Sequence, residues 1–270
     1  AAGRAMAAFV RSGARGLRVW RTSTLLVVDK PAGIPTSGRT LDDPDSVQFA
    51  LAAAERRHVW AVHQLDKQTS GLALFTTRRR HVERWARGLQ RGHKVYLALV
   101  HGSVEGPLEV RARIGVGTAV VDGKEREVPA VCSEGGRPAW SSVQPLCASP
   151  AASLVAVRLR TGRTHQTRLH LAHSGHPVVG DALHGVPAPG LLRTTRTRHM
   201  LHSWRLELPM PDRGPGPEGA DASPGPGPLC LESACPSDLR AAAAAEGLQV
   251  PGDAEPGIRC AWSSPGPRWD

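Results

Sequence analysis

No apolar run in the 270 residues approaches the roughly 20 needed to span a bilayer. That excludes a membrane-spanning helix, and no membrane partner is expected. The five cysteines (Cys132, Cys147, Cys230, Cys235 and Cys260) are odd in number, and no two are spaced CxxC. This argues against a disulfide scaffold and against a cysteine zinc module. Aromatics are scarce, with three phenylalanines and one tyrosine, so any chemistry that needs a phenol must use Tyr96. Acidic residues are missing from the start: none precedes Asp29. No internal repeat is visible, which removes solenoid architectures.

What is abundant is positive charge, and it is unevenly placed. Residues 1–206 hold 30 lysines and arginines against 14 acids, whereas residues 207–270 hold 4 against 10. A basic body of this kind fits a polyanion, and nucleic acid is the commonest one. Arginine bias in a GC-rich coding sequence is the competing reading. Arg4, Arg11, Arg15, Arg18 and Arg21 stand among alanines and small residues before the first acid. That composition fits either an organellar transit segment or a frayed basic terminus. Residues 1–16 are accordingly assigned to a basic extension, targeting or disordered. The compartment is cytoplasmic, or mitochondrial or plastid if the extension is a transit remnant.

Along the chain, Leu25–Asp29 reads as a buried strand ended by Pro31-Ala32-Gly33, and Ser46–Arg57 as a helix capped by Ser46. Strands are expected at Gly71–Thr77, His93–Val100, Ser153–Leu159 and Met200–Leu208. Helices are expected at Arg79–Arg91, Thr164–His173 and, shorter, Asp238–Glu246. Without a regular βαβ rhythm, this order predicts an α+β fold around a mixed, mostly antiparallel sheet with flanking helices. Residues 213–228 are rich in Pro and Gly and form a flexible insertion within a folded body spanning 17–248. Residues 249–270 show no periodicity and read as a disordered tail.

Four clusters carry candidate chemistry. His63-Gln64-Leu65-Asp66-Lys67-Gln68-Thr69-Ser70-Gly71 puts a carboxylate in a polar loop before a strand. Alternation along the next strand puts Lys94 and Tyr96 on one face. Arg160–His170 (RTGRTHQTRLH) opens a helix whose first N–H groups would suit a phosphate or carboxylate. There Arg163 could pair with an acidic catalyst or with RNA phosphate. Finally, His170, His173 and His176 have a spacing that could suit a metal. No glutamate lies between them and Pro177 follows at once, so no metal is expected.

The order HQLDKQTSG, HKVYLALVHG, LRTGRTHQTRLHLAHSGHPVVGD closely resembles the RluA family of RNA pseudouridine synthases. Further matches are LLVVDKPAGIP at Leu25–Pro35, GRPAWSSVQPL at Gly136–Leu146 and His199–His202 before the late strand. The resemblance spans roughly Leu17 to Leu248. It implies the pseudouridine synthase fold with a central basic cleft. With only about 20 residues before the first core strand, no N-terminal S4 RNA-binding domain is expected.

The resemblance also implies roles. Asp66 stands at the family's catalytic aspartate, Tyr96 at its active-site tyrosine, and Arg163 at the arginine that pairs with the aspartate. His63, Gln64, Thr69, Ser70, Lys94, Thr164, His165, Gln166 and Arg168 are assigned to RNA binding. The activity implied is isomerisation of uridine to pseudouridine in structured RNA (rRNA or tRNA), by a monomer, with no cofactor. Asp66 would attack either the sugar or the base. Gln64 departs from the arginine usual two residues before the aspartate, Thr167 from an aliphatic residue, and His184 from an aromatic. The rival class is a non-catalytic RNA-binding protein on the same scaffold.

Overall fold

The structure is a computed structural model. It describes residues 10–12, 17–22, 24–38, 40, 43–185, 198–209, 228–250 and 258–261. In chain order the elements are β1 (Val10–Ser12), β2 (Leu17–Arg21), β3 (Leu25–Lys30), α1 (Val47–Glu55), β4 (Trp60–Ala61), β5 (Ser70–Thr76) and α2 (Val82–Arg91). A 3-10 turn at Arg79–His81 leads into α2. There follow β6 (His93–His101), β7 (Leu108–Val121), β8 (Lys124–Cys132), β9 (Arg137–Ala148), β10 (Ala152–Leu159) and α3 (Gln166–His173). The chain closes with β11 (Leu201–Leu208), β12 (Leu229–Ser233), α4 (Ser237–Ala245) and β13 (Ile258–Ala261).

The chain divides into two compact units, with the boundary inside two strands: between Lys94 and Val95 in β6, and between Ser203 and Trp204 in β11. The first unit takes the chain up to Lys94, then Trp204–Ala234 and β13. Its strands run β1-β2-β3-β5-β11, with β4 on β5, β12 on β11 and β13 on β12. Every pair with a described register is antiparallel. β3 (LLVVDK) and β5 (SGLALFT) are buried almost throughout, which explains their unbroken apolar runs. One face is closed by α2, whose Trp85 and Leu89 lie one turn apart and pack with Leu25, Val27, Leu72, Leu74, Leu206 and Leu231. α1 begins where expected: Ser46 Oγ accepts from Phe49 N at 3.1 Å, and Arg56 ends the helix at φ 51°.

The second unit takes Val95–Ser203 and Cys235–Glu255, with strand order β6-β10-β9-β7-β8. β7, β8 and β9 were not expected as strands. β7 and β8 form a hairpin whose two-residue turn, Asp122-Gly123, has φ 53° and 72°. Those positive angles are what a type I′ turn needs, and Asp-Gly was the signal for it. Ile114 and Ala139 pack beneath Leu169 of α3.

Two boundaries differ from the sequence reading. Val10–Ser12 lies in the supposed extension yet pairs with β2, and the rest of residues 1–16 lies outside the described residues. Ile258–Ala261 lies in the supposed tail yet pairs with β12. Residues 213–227 of the Pro/Gly-rich insertion lie outside the described residues.

Candidate active site

Asp66 sits on a loop of the first unit that buried side chains hold from behind. The loop leaves β5's neighbour by an unusual exchange. Val62 N donates to Leu74 O at 2.8 Å, but the return bond, from Leu74 N, goes to His63 Nε2 at 3.2 Å. An imidazole thus takes the place of a main-chain carbonyl, which ends the pairing and frees the chain to turn. His63 must be unprotonated at Nε2 to accept. Part of its surface reaches solvent, yet burial, and then the Lys94 ammonium, push it down to about 3. His63 is therefore a neutral latch whose Nε2 is spent on the protein's own backbone.

Beyond the latch, Gln64 is exposed and Leu65 is buried. Thr36 Oγ1 donates to Leu65 O at 2.9 Å and accepts from Leu65 N at 3.0 Å, so one hydroxyl fixes both ends of that residue. Lys30 is fully buried, and its Nζ donates to Pro31 O (3.0 Å), Ile34 O (2.8 Å) and Lys67 O (3.1 Å). Gly33 N also donates to Lys67 O at 2.8 Å. A buried ammonium is tolerated only where its donors are used, and here three carbonyls take them. Thr69 N donates to Asp66 O at 3.0 Å, closing a tight turn from Asp66 to Thr69. Asp66 itself is half-buried. Thr69 and Ser70 are buried, so they belong to the turn and to β5 and not to an RNA-facing surface as expected. Sequence reasoning missed Lys30 and Thr36. The signal was a lysine between an apolar strand and Pro-Ala-Gly, a place that must be buried.

The second unit carries Tyr96, on β6 and largely buried, and Arg163, half-buried in the Arg160–His165 loop. Gln166 organises that loop. Its Oε1 accepts from Thr161 Oγ1 (2.8 Å) and Arg163 N (3.0 Å), and its Nε2 donates to Trp140 O and Ser141 Oγ (both 3.0 Å). Buried, with both ends of its amide engaged, Gln166 cannot read RNA as expected; it holds Arg163's backbone in place. Arg163 Nε in turn donates to Pro138 O at 3.2 Å, fixing the root of the guanidinium.

Arg168 is likewise internal. Its Nε and one terminal nitrogen donate to the two oxygens of Asp181 at 2.6 and 2.7 Å, both side chains nearly inaccessible. Burial alone would raise Asp181, but the Arg168 hydrogen bonds and charge prevail and hold it at about 2. Asp181 Oδ1 also accepts from Leu183 N and His184 N, each at 3.1 Å. The RNA contact expected of Arg168 is thus replaced by a structural ion pair.

α3 starts two residues later than expected. Thr164 is exposed outside it, and His165 adopts φ 54°, a left-handed conformation uncommon for a side chain of this kind. Gln166 N is taken by Arg163 O at 3.1 Å, so the first N–H group of α3 is spent within the loop. His165 Nδ1 lies 2.8 Å from His184 Nε2, one ring donating to the other. Of the three histidines read as a possible metal spacing, two have partners of their own. His170 is fully buried with Nδ1 2.9 Å from Ser141 Oγ, whereas His176 Nδ1 donates to His101 O at 3.1 Å. Nearby, Arg111 and Arg160 stack on Trp140, 4.2 and 5.5 Å from its ring centre, with Glu109 bonded to the indole N–H.

Residues 24–173, which include Asp66, Tyr96 and Arg163, match the RNA pseudouridylate synthase family. The chain is 34% identical over 202 residues to ribosomal large subunit pseudouridine synthase D of Nitrosomonas europaea, covering 70% of this chain and 57% of that protein. It is 33% identical over 211 residues to tRNA pseudouridine synthase C of Salmonella typhi, covering 70% and 78%. Human RNA pseudouridylate synthase domain containing 1 superposes with a TM-score of 0.57 at 27% identity, covering 71% of this chain and 77% of that one. The chain spans little more than half the length of the ribosomal relatives it matches. A match over more than half of the chain, with relatives of this closeness and a shared fold, makes it a member of the RNA pseudouridylate synthase family, in its RluA branch.

Proposed function

We propose that this protein isomerises uridine to pseudouridine in structured RNA, rRNA or tRNA, with Asp66 as its catalytic carboxylate. The observation that carries the reading is the clamp on Asp66. A half-buried carboxylate stands on a loop whose neighbours Leu65 and Lys67 are tied by Thr36 and the buried Lys30. Catalysis needs a group held still against the reacting atoms, and this loop meets that need. The reaction breaks the C1′–N1 bond, rotates the base and joins C5 to C1′. The proton lost from C5 is balanced by one gained at N1, so no external atom or electron enters. Asp66 serves as nucleophile, at the sugar or at the base, or as the charge that stabilises C1′. Arg163, its root fixed by Gln166 and Pro138, is the arginine that the family resemblance pairs with the aspartate, a planar fork of donors suited to a carboxylate. Tyr96 accepts or relays the proton released from C5.

The test is pseudouridine formation in transcribed rRNA and tRNA by the parent and by Asp66→Asn. Asn keeps the shape of the side chain and removes its charge. The variant is expected to bind RNA as the parent does and to form no pseudouridine. Product formation at the parental rate by Asp66→Asn would overturn the catalytic assignment. An inactive parent that still binds RNA would favour the non-catalytic scaffold reading. Mapping pseudouridines in total RNA with and without the protein then identifies the uridine.

A further inference from the structure

We infer that a groove on the first unit, walled by Trp60, Gln64 and Arg79, seats an unpaired nucleotide of the RNA adjacent to the target uridine. The inference rests on the RNA-modifying reading above and extends it to a second position in the substrate.

The groove has a volume of about 510 Å³ and is lined by Gln48, Trp60, Ala61, Gln64, Arg79, Val82 and Glu83. That size falls within the range of small-molecule sites. Its walls are fixed before anything binds. Trp60 lies on β4, paired across to Thr76, and Gln48 Nε2 donates to Val59 O at 2.9 Å just before it. Thr76 Oγ1 donates to Thr24 O at 2.7 Å and accepts from Arg78 N at 3.2 Å, which sets the turn that presents Arg79.

What those walls present is unspent. Gln64 and Arg79 are exposed, and among the described residues neither side chain has a hydrogen-bond or ion-pair partner. Trp60 is half-buried, and among the described residues its ring neighbour is His58 at 5.9 Å between centres. Ala61 and Val82 give an apolar floor. An indole and an apolar floor suit the face of a base, an amide can both donate to and accept from its edge, and a guanidinium suits its phosphate.

The polarity of the groove can be read as well. Glu83, on the rim, is paired with Arg87 one turn on, while Arg79 continues into Arg78, Arg80 and Arg84. The positive field there is felt by His81, which desolvation and then the Arg80, Arg78 and Arg84 charges push below its ordinary value. The phosphate therefore belongs at the Arg79 end and the base against Trp60. A base inside a duplex is stacked and paired, so only an unpaired nucleotide can offer its face. Gln64 is two residues from Asp66, which puts their Cα atoms within about 7 Å. The occupant is thus a neighbour of the uridine at Asp66 and not a distant part of the RNA.

The test uses hairpin RNAs with the target uridine in the loop and an abasic site at the nucleotide on its 5′ or its 3′ side. Binding is measured by titration and pseudouridine formation in single turnover, for the parent, Trp60→Leu and Arg79→Ala. Leu keeps apolar bulk, and melting curves check that the variants fold. One of the two abasic RNAs is expected to bind the parent about tenfold more weakly, the scale of one lost base–aromatic stack. Trp60→Leu should show that loss on intact RNA and little further loss on the same abasic RNA, since both remove one contact. Arg79→Ala should weaken intact RNA and flatten the salt dependence of binding. If neither abasic RNA binds more weakly, or if the abasic and Trp60→Leu losses multiply, the groove holds no flanking base. A parent that makes no pseudouridine on any hairpin would overturn the activity reading instead, and the binding cycle would still decide the groove.

Discussion

Replacing Lys30 by Met removes the ammonium that ties the Asp66 loop and keeps most of the apolar stem. Three carbonyls lose a charged donor. Lys67 O keeps its bond from Gly33 N, so Pro31 O and Ile34 O are the ones left without the donor. Pro31 is exposed, so water can take over at its carbonyl. An acceptor left unsatisfied at the half-buried Ile34 costs about 1–3 kcal/mol, and the gain from no longer burying an ammonium offsets part of that. A net loss of about 1–2 kcal/mol follows, which in a chain of this size lowers the melting temperature by roughly 2–8 °C. The effect on function should exceed the effect on folding. Measured below the melting transition of the variant, single-turnover isomerisation should slow markedly while RNA affinity changes little, because Lys30 touches the loop and not the surface. Lys30→Arg should also be impaired, since a planar fork does not reproduce three converging bonds. A Lys30→Met protein that melts within a degree of the parent and isomerises at its rate would refute the clamp.

Three further outcomes are expected. His63 is pushed down to about 3 and His170 to about 4, each first by burial, so both are neutral in the fold but protonate near 6.5 when unfolded. Their lowered values make the unfolded chain bind more protons, so stability should fall as pH drops from about 6.5 toward 4; His63→Gln should flatten part of that slope in denaturant titrations. Arg163→Lys should slow the chemical step far more than it weakens RNA binding, because a point charge does not replace the guanidinium fork; a loss confined to binding would place Arg163 on phosphate. RNA affinity should fall steeply with salt, and Arg80→Ala with Arg84→Ala should reduce that slope, whereas a flat dependence would trace the arginines to codon usage alone.

The parts of the fold legible in the sequence are those where burial is nearly complete or a cap is local. β3 and β5 announce themselves by continuous apolar runs, and α1 by Ser46. The β7–β8 hairpin was hidden because its strands are half-exposed and mix Arg, Gly, Glu and Thr with Val; Val116 and Val120 even face solvent. At the candidate site, Asp66, Tyr96 and Arg163 stood out through long motifs. The polar residues around them misled. α3 is buried at six of its eight positions, so Gln166 and Arg168 face protein, yet a helix reading QTRLHLAH looks exposed. Polarity in a sequence says that a partner is needed and does not say whether the partner is RNA or the protein's own backbone. Lys30 is the same lesson from the other side, a lysine whose charge is wholly consumed within the fold.

The first unit's core joins distant parts of the chain: Leu25, Leu72 and Trp85 pack with Leu206, Leu208, Leu229 and Leu231, more than a hundred residues later. During synthesis the N-terminal strands emerge first and cannot be completed until β11 and β12 leave the ribosome. At about 5–20 residues per second, that leaves the paired β3 and β5 without β11 and β12 for roughly 6–25 s. The strands β7 to β10 of the second unit are continuous in sequence and can pair in that interval, although α4 of the same unit follows later. The nascent chain thus holds its most apolar strands open while its middle folds, and a holdase chaperone should crosslink to the LLVVDK and SGLALFT segments of stalled chains that end before Leu201.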